Sequence, residues 1–339
     1  MTLTNQRWVL RHRPHGEIKP GDLEFVSEPV RDLAEGEILI RNVYLSLDPT
    51  NRIWMSDQDQ YMPPVEVGAA MRGGTVGVVE ASRSARFQRG DIANPGLGAW
   101  ETYTIAHEAM AQKIQPPPGL PLTATMSVLG MTGLTAYFGM MDIGKPKPGE
   151  TVVVSAAAGA VGSVAGQIAK LQGARVIGIA GGARKCAWLT EELGFDGAID
   201  YKNEDVGAAL DRLCPNGIDV DFENVGGEIM EQVYSRMNTF GRMALCGMIS
   251  GYNIDAPPPG PKDFGRILMR RLLIKGFIII DYFPRAAEGF TDLGQWVGAG
   301  KIKWKDNVVD GLENAVDALG RLFTGDHDGK LLVRVSPEP

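Results

Sequence analysis

A short β-branched run, Val152 to Val154, leads into Ser155-Ala156-Ala157-Ala158-Gly159-Ala160-Val161-Gly162. A helical pattern follows in which Val161, Val164, Ala165, Ile168, Ala169 and Leu171 fall near one face. Strand, Gly-rich turn and helix, in that order, make a site for the pyrophosphate of a dinucleotide. Small residues let the backbone come close to the phosphates, and the N–H groups at the helix start favour their negative charge. Gly159, Ala160, Val161 and Gly162 are the positions that would do this. The pattern is A-x-G-x-x-G, with Ala157 where the usual fingerprint has its first glycine. The string alone leaves a plain strand–helix turn open as the alternative.

A second strand, Ala174 to Ala180, ends about twenty residues after the fingerprint, where an NAD enzyme places an Asp or Glu on the ribose 2′-OH. This chain reads Gly181-Gly182-Ala183-Arg184-Lys185 there and has no acid. Without it a 2′-phosphate is not repelled, and Arg184 or Lys185 can supply positive charge. The expected cofactor is therefore NADP(H), with Lys185 the stronger candidate. The alternative is that both are solvated residues opening the next helix.

These residues need a parallel sheet to position them. From 151 to about 300 the chain alternates strand and helix. Strands are expected at 197–200, 218–223, 241–247 and 273–279, and helices at 184–193, 206–214, 227–237 and 290–299. This is a doubly wound α/β pattern, with ligands at the carboxyl ends of the strands. Residues 1–125 hold only short strand candidates between Pro- and Gly-bearing turns and read as a mostly-β domain. A helical run is expected from Thr123 to Met141, another over 308–323, and a last strand at 330–335.

At 339 residues the chain has room for two domains. The net charge of −7 argues against nucleic-acid or anionic-membrane binding. Residues 1–8 lack the apolar core of a signal peptide, and no run approaches the length of a membrane span. Three widely spaced cysteines, Cys186, Cys214 and Cys246, make disulfides improbable and fit a cytoplasmic location.

Four strings belong together. Ser46-Leu47-Asp48-Pro49-Thr50-Asn51-Arg52 is similar to an S-x-D-P-x-x-R loop, the Gly-rich turn to A-A-x-G-x-V-G-S, Asp221 to Gly227 to a D-x-N-V-G-G segment, and Cys246 to Asn253 to C-G-x-I-S-x-Y-N. In these the chain resembles the medium-chain dehydrogenase/reductase superfamily, within it the zinc-independent leukotriene B4 12-hydroxydehydrogenase, prostaglandin reductase and curcumin reductase branch. The resemblance implies a GroES-like catalytic domain over 1–125 and a Rossmann NADP-binding domain over 126–305. A C-terminal segment, 306–339, would return to the catalytic domain.

It also implies NADPH-dependent reduction of the carbon–carbon double bond of small apolar enones or enals, and a homodimer through the edge of the cofactor sheet. Lys185 and Tyr201 are then expected near the 2′-phosphate and adenosine ribose. Asn224, Cys246, Ile249 and Ser250 are expected along the ribose and nicotinamide. Tyr252 and Tyr61 are the candidate donors to the substrate oxygen. Tyr252 can instead only pack on the cofactor, Tyr61 only line a pocket, and Tyr201 only end a strand. Asp48 and Arg52 read better as buried residues holding their loop than as substrate contacts.

No metal is expected. A catalytic zinc needs about three N, S or O side-chain ligands and a structural one four. The first 125 residues contain no cysteine, and His12, His15 and His107 have no suitable companions in sequence. Two departures from the family pattern stand out. Met269 falls where some relatives carry a tyrosine, and His327 falls where the family's G-[DE]-N-x-G-K has asparagine. The rivals to enone reduction are quinone reduction on the same fold and a cofactor-binding protein without turnover.

Overall fold

Thr151–Val154 is buried at every position and pairs in parallel on both sides, with Arg175–Ala180 and with Ile218–Glu223. A strand covered on both faces has no solvent side, which is why Val152 to Val154 run apolar without alternating. The computed structural model describes residues 3–256 and 259–339. Pro257 and Pro258, part of a proline-rich stretch read as a pocket rim or rigid linker, lie outside the described residues.

The parallel sheet runs in the order Gly197–Asp200, Arg175–Ala180, Thr151–Val154, Ile218–Glu223, Met237–Leu245, Leu273–Gly276. Numbered along the chain this is the doubly wound order, and it reverses between Thr151–Val154 and Ile218–Glu223. Val153, Ile177, Ile179, Ile199, Leu210 and Val233 interlock beneath one face. Each such side chain contributes about 1.5–3 kcal/mol on burial. This unit comprises Ser127–Lys305 with Asp328–Lys330.

The other unit takes the chain up to Met126, with Asp306–His327 and Leu331–Pro339. Its central strand, Glu37–Ser46, is almost wholly buried. It pairs antiparallel with Thr75–Ser82, Tyr103–His107 and the C-terminal strand Lys330–Arg334. Ile38, Ile40, Val79, Phe87 and Ala106 fill one cluster, and Val43, Val76, Val78 and Leu332 another. The fold is thus α/β, a mixed sheet and a parallel Rossmann sheet.

Several element bounds differ from the sequence reading. The run at 308–323 is a strand, Asp306–Asp310, before it is a helix, Ala315–Thr324. Val308 and Val309 favour extended backbone, and Gly311 at φ 86° breaks the helical pattern between the two. The last sheet strand stops at Gly276. Phe277 turns aside to pack edge-on against Phe222 and Tyr282, and Ile279–Arg285 is a 3-10 turn. Met237 belongs to the strand Met237–Leu245, paired with Ile218, and the preceding helix ends at Tyr234. The helix expected from Thr123 is a 3-10 turn, Leu122–Met126, then Met131–Phe138 ending in a π-helical turn. The helix expected over 184–193 likewise changes to π geometry at Trp188.

Candidate active site

Beyond Val154 the chain turns through Ala156, at φ 46°, to Gly159, which caps the helix Ala160–Leu171 without a side-chain hydrogen bond. The first-turn N–H groups, those of Ala160, Val161 and Gly162, have no intrahelical acceptor. A Cβ on Gly162 would lie 2.5 Å from the Ala156 carbonyl oxygen, so this tight turn requires glycine there. The alanine at 157 is accommodated by its neighbour strand. A Cβ on Gly178 would lie 2.8 Å from that of Ala157, and glycine removes the clash.

At the end of Arg175–Ala180 the Gly181-Gly182 turn is held by the next strand. Asp200 accepts from the Gly182 N–H (2.7 Å), the Lys202 N–H (3.2 Å) and the Asn203 amide (2.8 Å). The Asn203 bond first, then these backbone groups, keep its carboxyl below the usual range. Its charge is therefore turned onto backbone. Lys185 is half-buried beside this turn and Tyr201 is exposed, its ring over Gly181. Arg184 is exposed and paired with Asp328.

The switch point is tied by a buried knot. Glu223, fully buried, accepts from the Val225 and Gly226 N–H groups and from the Ser155 hydroxyl (2.8 Å). The Ser155 oxygen accepts from the Asn224 N–H (2.7 Å), and the Asn224 amide donates to the Ser155 carbonyl (2.7 Å). Strand ends 154 and 223 are thereby locked together. The segment after Leu245 hangs from them. Cys246 N–H donates to the Glu223 carbonyl (2.9 Å), Ile249 N–H to that of Asn224 (3.1 Å), and the Ser250 N–H (3.0 Å) and hydroxyl (2.6 Å) to that of Val225. This makes a ledge from Cys246 to Ser250.

Tyr252 follows the 3-10 turn Ile249–Gly251 and so is not at a strand end. Its hydroxyl oxygen accepts from the Met248 N–H (3.1 Å), which aims it back along the ledge. Burial pushes the Cys246 thiol up to about 12, so it is no nucleophile at neutral pH.

Asp221, two residues before Glu223 on the same strand face, is also fully buried, and neither carboxylate oxygen has a partner among the described residues. Burial first and the Glu223 charge second push it well above the usual range. Burial raises Glu223 as well, but its donors at Gly226, Val225 and Ser155 oppose this. Of the two, burial favours the proton on Asp221, while the donors around Glu223 favour its charge.

Tyr61 belongs to the mixed-sheet unit. Its hydroxyl is shared with Thr50 and accepts from Trp54 Nε1 (3.1 Å). Burial raises its pKa, so it remains a neutral phenol. A shallow recess of about 310 Å³ lies along Gln58 to Pro64. Arg52 is buried and donates to the Pro14 (2.9 Å) and Gly16 (2.8 Å) carbonyls and the Ser56 hydroxyl (2.6 Å). Asp48 receives the Ser46 hydroxyl. Both hold their loop.

Ser155, Glu223 and Asp328 were not singled out by the sequence. Only Glu223 left a signal: it is the third acid, after Asp219 and Asp221, in the alternating strand Ile218–Glu223.

Two family models match. Residues 6–114 match the N-terminal domain of oxidoreductase, and 160–295 match zinc-binding dehydrogenase. The NADPH-dependent curcumin reductase of Escherichia coli is 44% identical over 337 residues, covering 98% of this chain and 97% of the relative. The NADP(+)-dependent 2-alkenal reductase of Nicotiana tabacum is 37% identical, covering 99% of each. CurA from Vibrio vulnificus in complex with NADPH has a TM-score of 0.93 and 42% identity, covering 98% of this chain and 100% of that one. The chain belongs to the medium-chain dehydrogenase/reductase superfamily, as an NADP-dependent oxidoreductase of the curcumin reductase and prostaglandin reductase type. The zinc of the second family description does not fit these residues. Among the described residues no three His, Cys, Asp or Glu side chains gather as a metal site, and His12 and His327 lie against backbone carbonyls at 3.0 and 3.2 Å.

Proposed function

We propose that this protein reduces the carbon–carbon double bond of small apolar α,β-unsaturated ketones and aldehydes with NADPH and without a metal ion. The observation that carries this reading is the Cys246–Ser250 ledge, fastened to the switch point and ending in a backbone-anchored tyrosine hydroxyl. When bound, NADPH supplies a hydride equivalent for the substrate's β-carbon. The residues fit that cofactor: an uncapped helix start at Gly159–Gly162 for the pyrophosphate, and a strand end followed by Arg184 and Lys185 for the 2′-phosphate.

In this reading the Ala160, Val161 and Gly162 N–H groups hold the pyrophosphate, Lys185 the 2′-phosphate and Tyr201 the adenosine ribose. Asn224, Cys246, Ile249 and Ser250 form the wall beside the other ribose and the ring. Negative charge builds on the substrate's carbonyl oxygen, and a preplaced donor lowers that barrier most. Tyr252 is the donor: an oxygen that itself accepts a backbone N–H makes its own O–H a stronger donor. Tyr61, a neutral phenol, serves as the second donor or as the α-carbon's acid. Supporting this substrate class, two of the relatives above are named for curcumin and 2-alkenals. The reading is tested by incubating the protein with 3-nonen-2-one, trans-2-nonenal and a quinone, with NADPH or NADH, and identifying products by mass. Saturated carbonyl products formed preferentially with NADPH are expected; turnover of the quinone alone would refute the reading.

The same reading includes a homodimer. Leu273–Gly276 ends the sheet order, and Phe240, Phe264, Leu268 and Met269 around it are each more than half exposed. A second copy related by a two-fold axis would cover this apolar edge. Sedimentation velocity should show a dimer, and Leu268→Glu should shift it to monomer. A monomeric wild type at micromolar concentration would contradict the assignment.

A further inference from the structure

The segment Asp328–Lys330 returns to the parallel-sheet unit and lies against the Gly-rich turn. Gly329 N–H donates to the Ala158 carbonyl (3.1 Å), Gly159 and Gly329 form an isolated parallel bridge, and Lys330 N–H donates to the Lys305 carbonyl (2.9 Å). These backbone ties fix where Asp328 sits. Its carboxylate forms an ion pair with Arg184. Burial raises its pKa, but the Arg184 hydrogen bond and charge, with Lys185 and Lys305 behind them, outweigh this and lower it. Asp328 is therefore an anion among three cations. Lys305 is itself held over the Trp188 ring at 4.5 Å. Asp200, the other acid at these strand ends, is turned onto the Gly182 and Lys202 N–H groups and the Asn203 amide.

Two of those cations are the ones available to a 2′-phosphate. We propose that Asp328 is a specificity-determining residue, an internal anion that occupies Arg184 in place of the 2′-phosphate and weakens the preference for NADPH over NADH. This rests on the cofactor reading given above. Binding a phosphate dianion here must displace the carboxylate from Arg184 or tolerate it close by, and both oppose binding. The pair is open to solvent on the arginine side, which is 73% exposed against 26% for Asp328. The effect is therefore modest, about three- to tenfold.

The test uses the full-length protein without cofactor and measures the Kd of 2′,5′-ADP and of ADP by calorimetry at fixed ionic strength. Asp328→Asn is expected to tighten 2′,5′-ADP by about three- to tenfold and to leave ADP unchanged. Asp328→Ser should do the same, which guards against an effect of the asparagine itself. Arg184→Ala should weaken 2′,5′-ADP more in the Asp328→Asn background than in the wild type. Unchanged or weaker 2′,5′-ADP binding in both Asp328 variants overturns the proposal. Lys185→Ala separates it from the cofactor reading. If that variant keeps the full wild-type preference for 2′,5′-ADP, the placement of the 2′-phosphate fails, whatever Asp328 does. If it loses the preference while both Asp328 variants do nothing, only the Asp328 proposal fails.

Discussion

Tyr252→Phe is expected to lower kcat for an enone by about 10²–10³-fold, the usual cost of removing one donor to a developing oxyanion. The phenylalanine keeps the ring and its packing and removes only the oxygen that accepts from the Met248 N–H. The ledge keeps its other anchors at Glu223, Asn224 and Val225. Cofactor affinity and thermal midpoint should therefore stay close to wild type while turnover falls. Steady-state kinetics with cofactor binding measured alongside will show this. Tyr61→Phe is the comparison. Its hydroxyl already engages Thr50 and Trp54, so its loss should cost less turnover and raise the substrate KM. Equal kcat in Tyr252→Phe and wild type would remove Tyr252 from the chemistry.

Lys185→Ala is expected to weaken NADPH by about 10- to 100-fold, since a hydrogen bond to a charged group is worth about 1.5–3 kcal/mol and 1.4 kcal/mol is tenfold. NADH binding should not change, because the lost partner is the 2′-phosphate alone. Lys185 is half-buried at the strand end, whereas Arg184 is exposed and neutralised by Asp328. Arg184→Ala should accordingly cost less than Lys185→Ala. Kd values for both cofactors, from quenching of protein fluorescence, decide it. A parallel loss of NADPH and NADH would mean that Lys185 supports the fold of the turn and not the phosphate.

The parallel sheet was readable because short β-branched runs such as Val152 to Val154 alternate with helical patterns along the chain. The Gly-rich turn was readable because glycine at 162 has a steric reason. The sequence could not show the knot beneath the site. Glu223 reads as a strand acid, and only the folded turn brings the Val225 and Gly226 N–H groups onto its carboxylate. Nor could it show Asp328, which a side-chain ion pair joins to Arg184 and which the backbone bond from Gly329 to Ala158 sets in place, both partners lying far off in the chain. The strand at Asp306–Asp310 was lost for a different reason. An apolar spacing that continued into a real helix hid the break at Gly311.

The most direct test of the central claim follows the hydride. The protein is given 3-nonen-2-one and NADPH deuterated at nicotinamide C4, in each configuration in turn, and the product is analysed by mass and NMR. The account predicts saturated ketone carrying one deuterium on the β-carbon from one of the two labelled cofactors. Allylic alcohol with deuterium on the former carbonyl carbon would contradict it, since the hydride would then have gone to the carbonyl and not to the double bond.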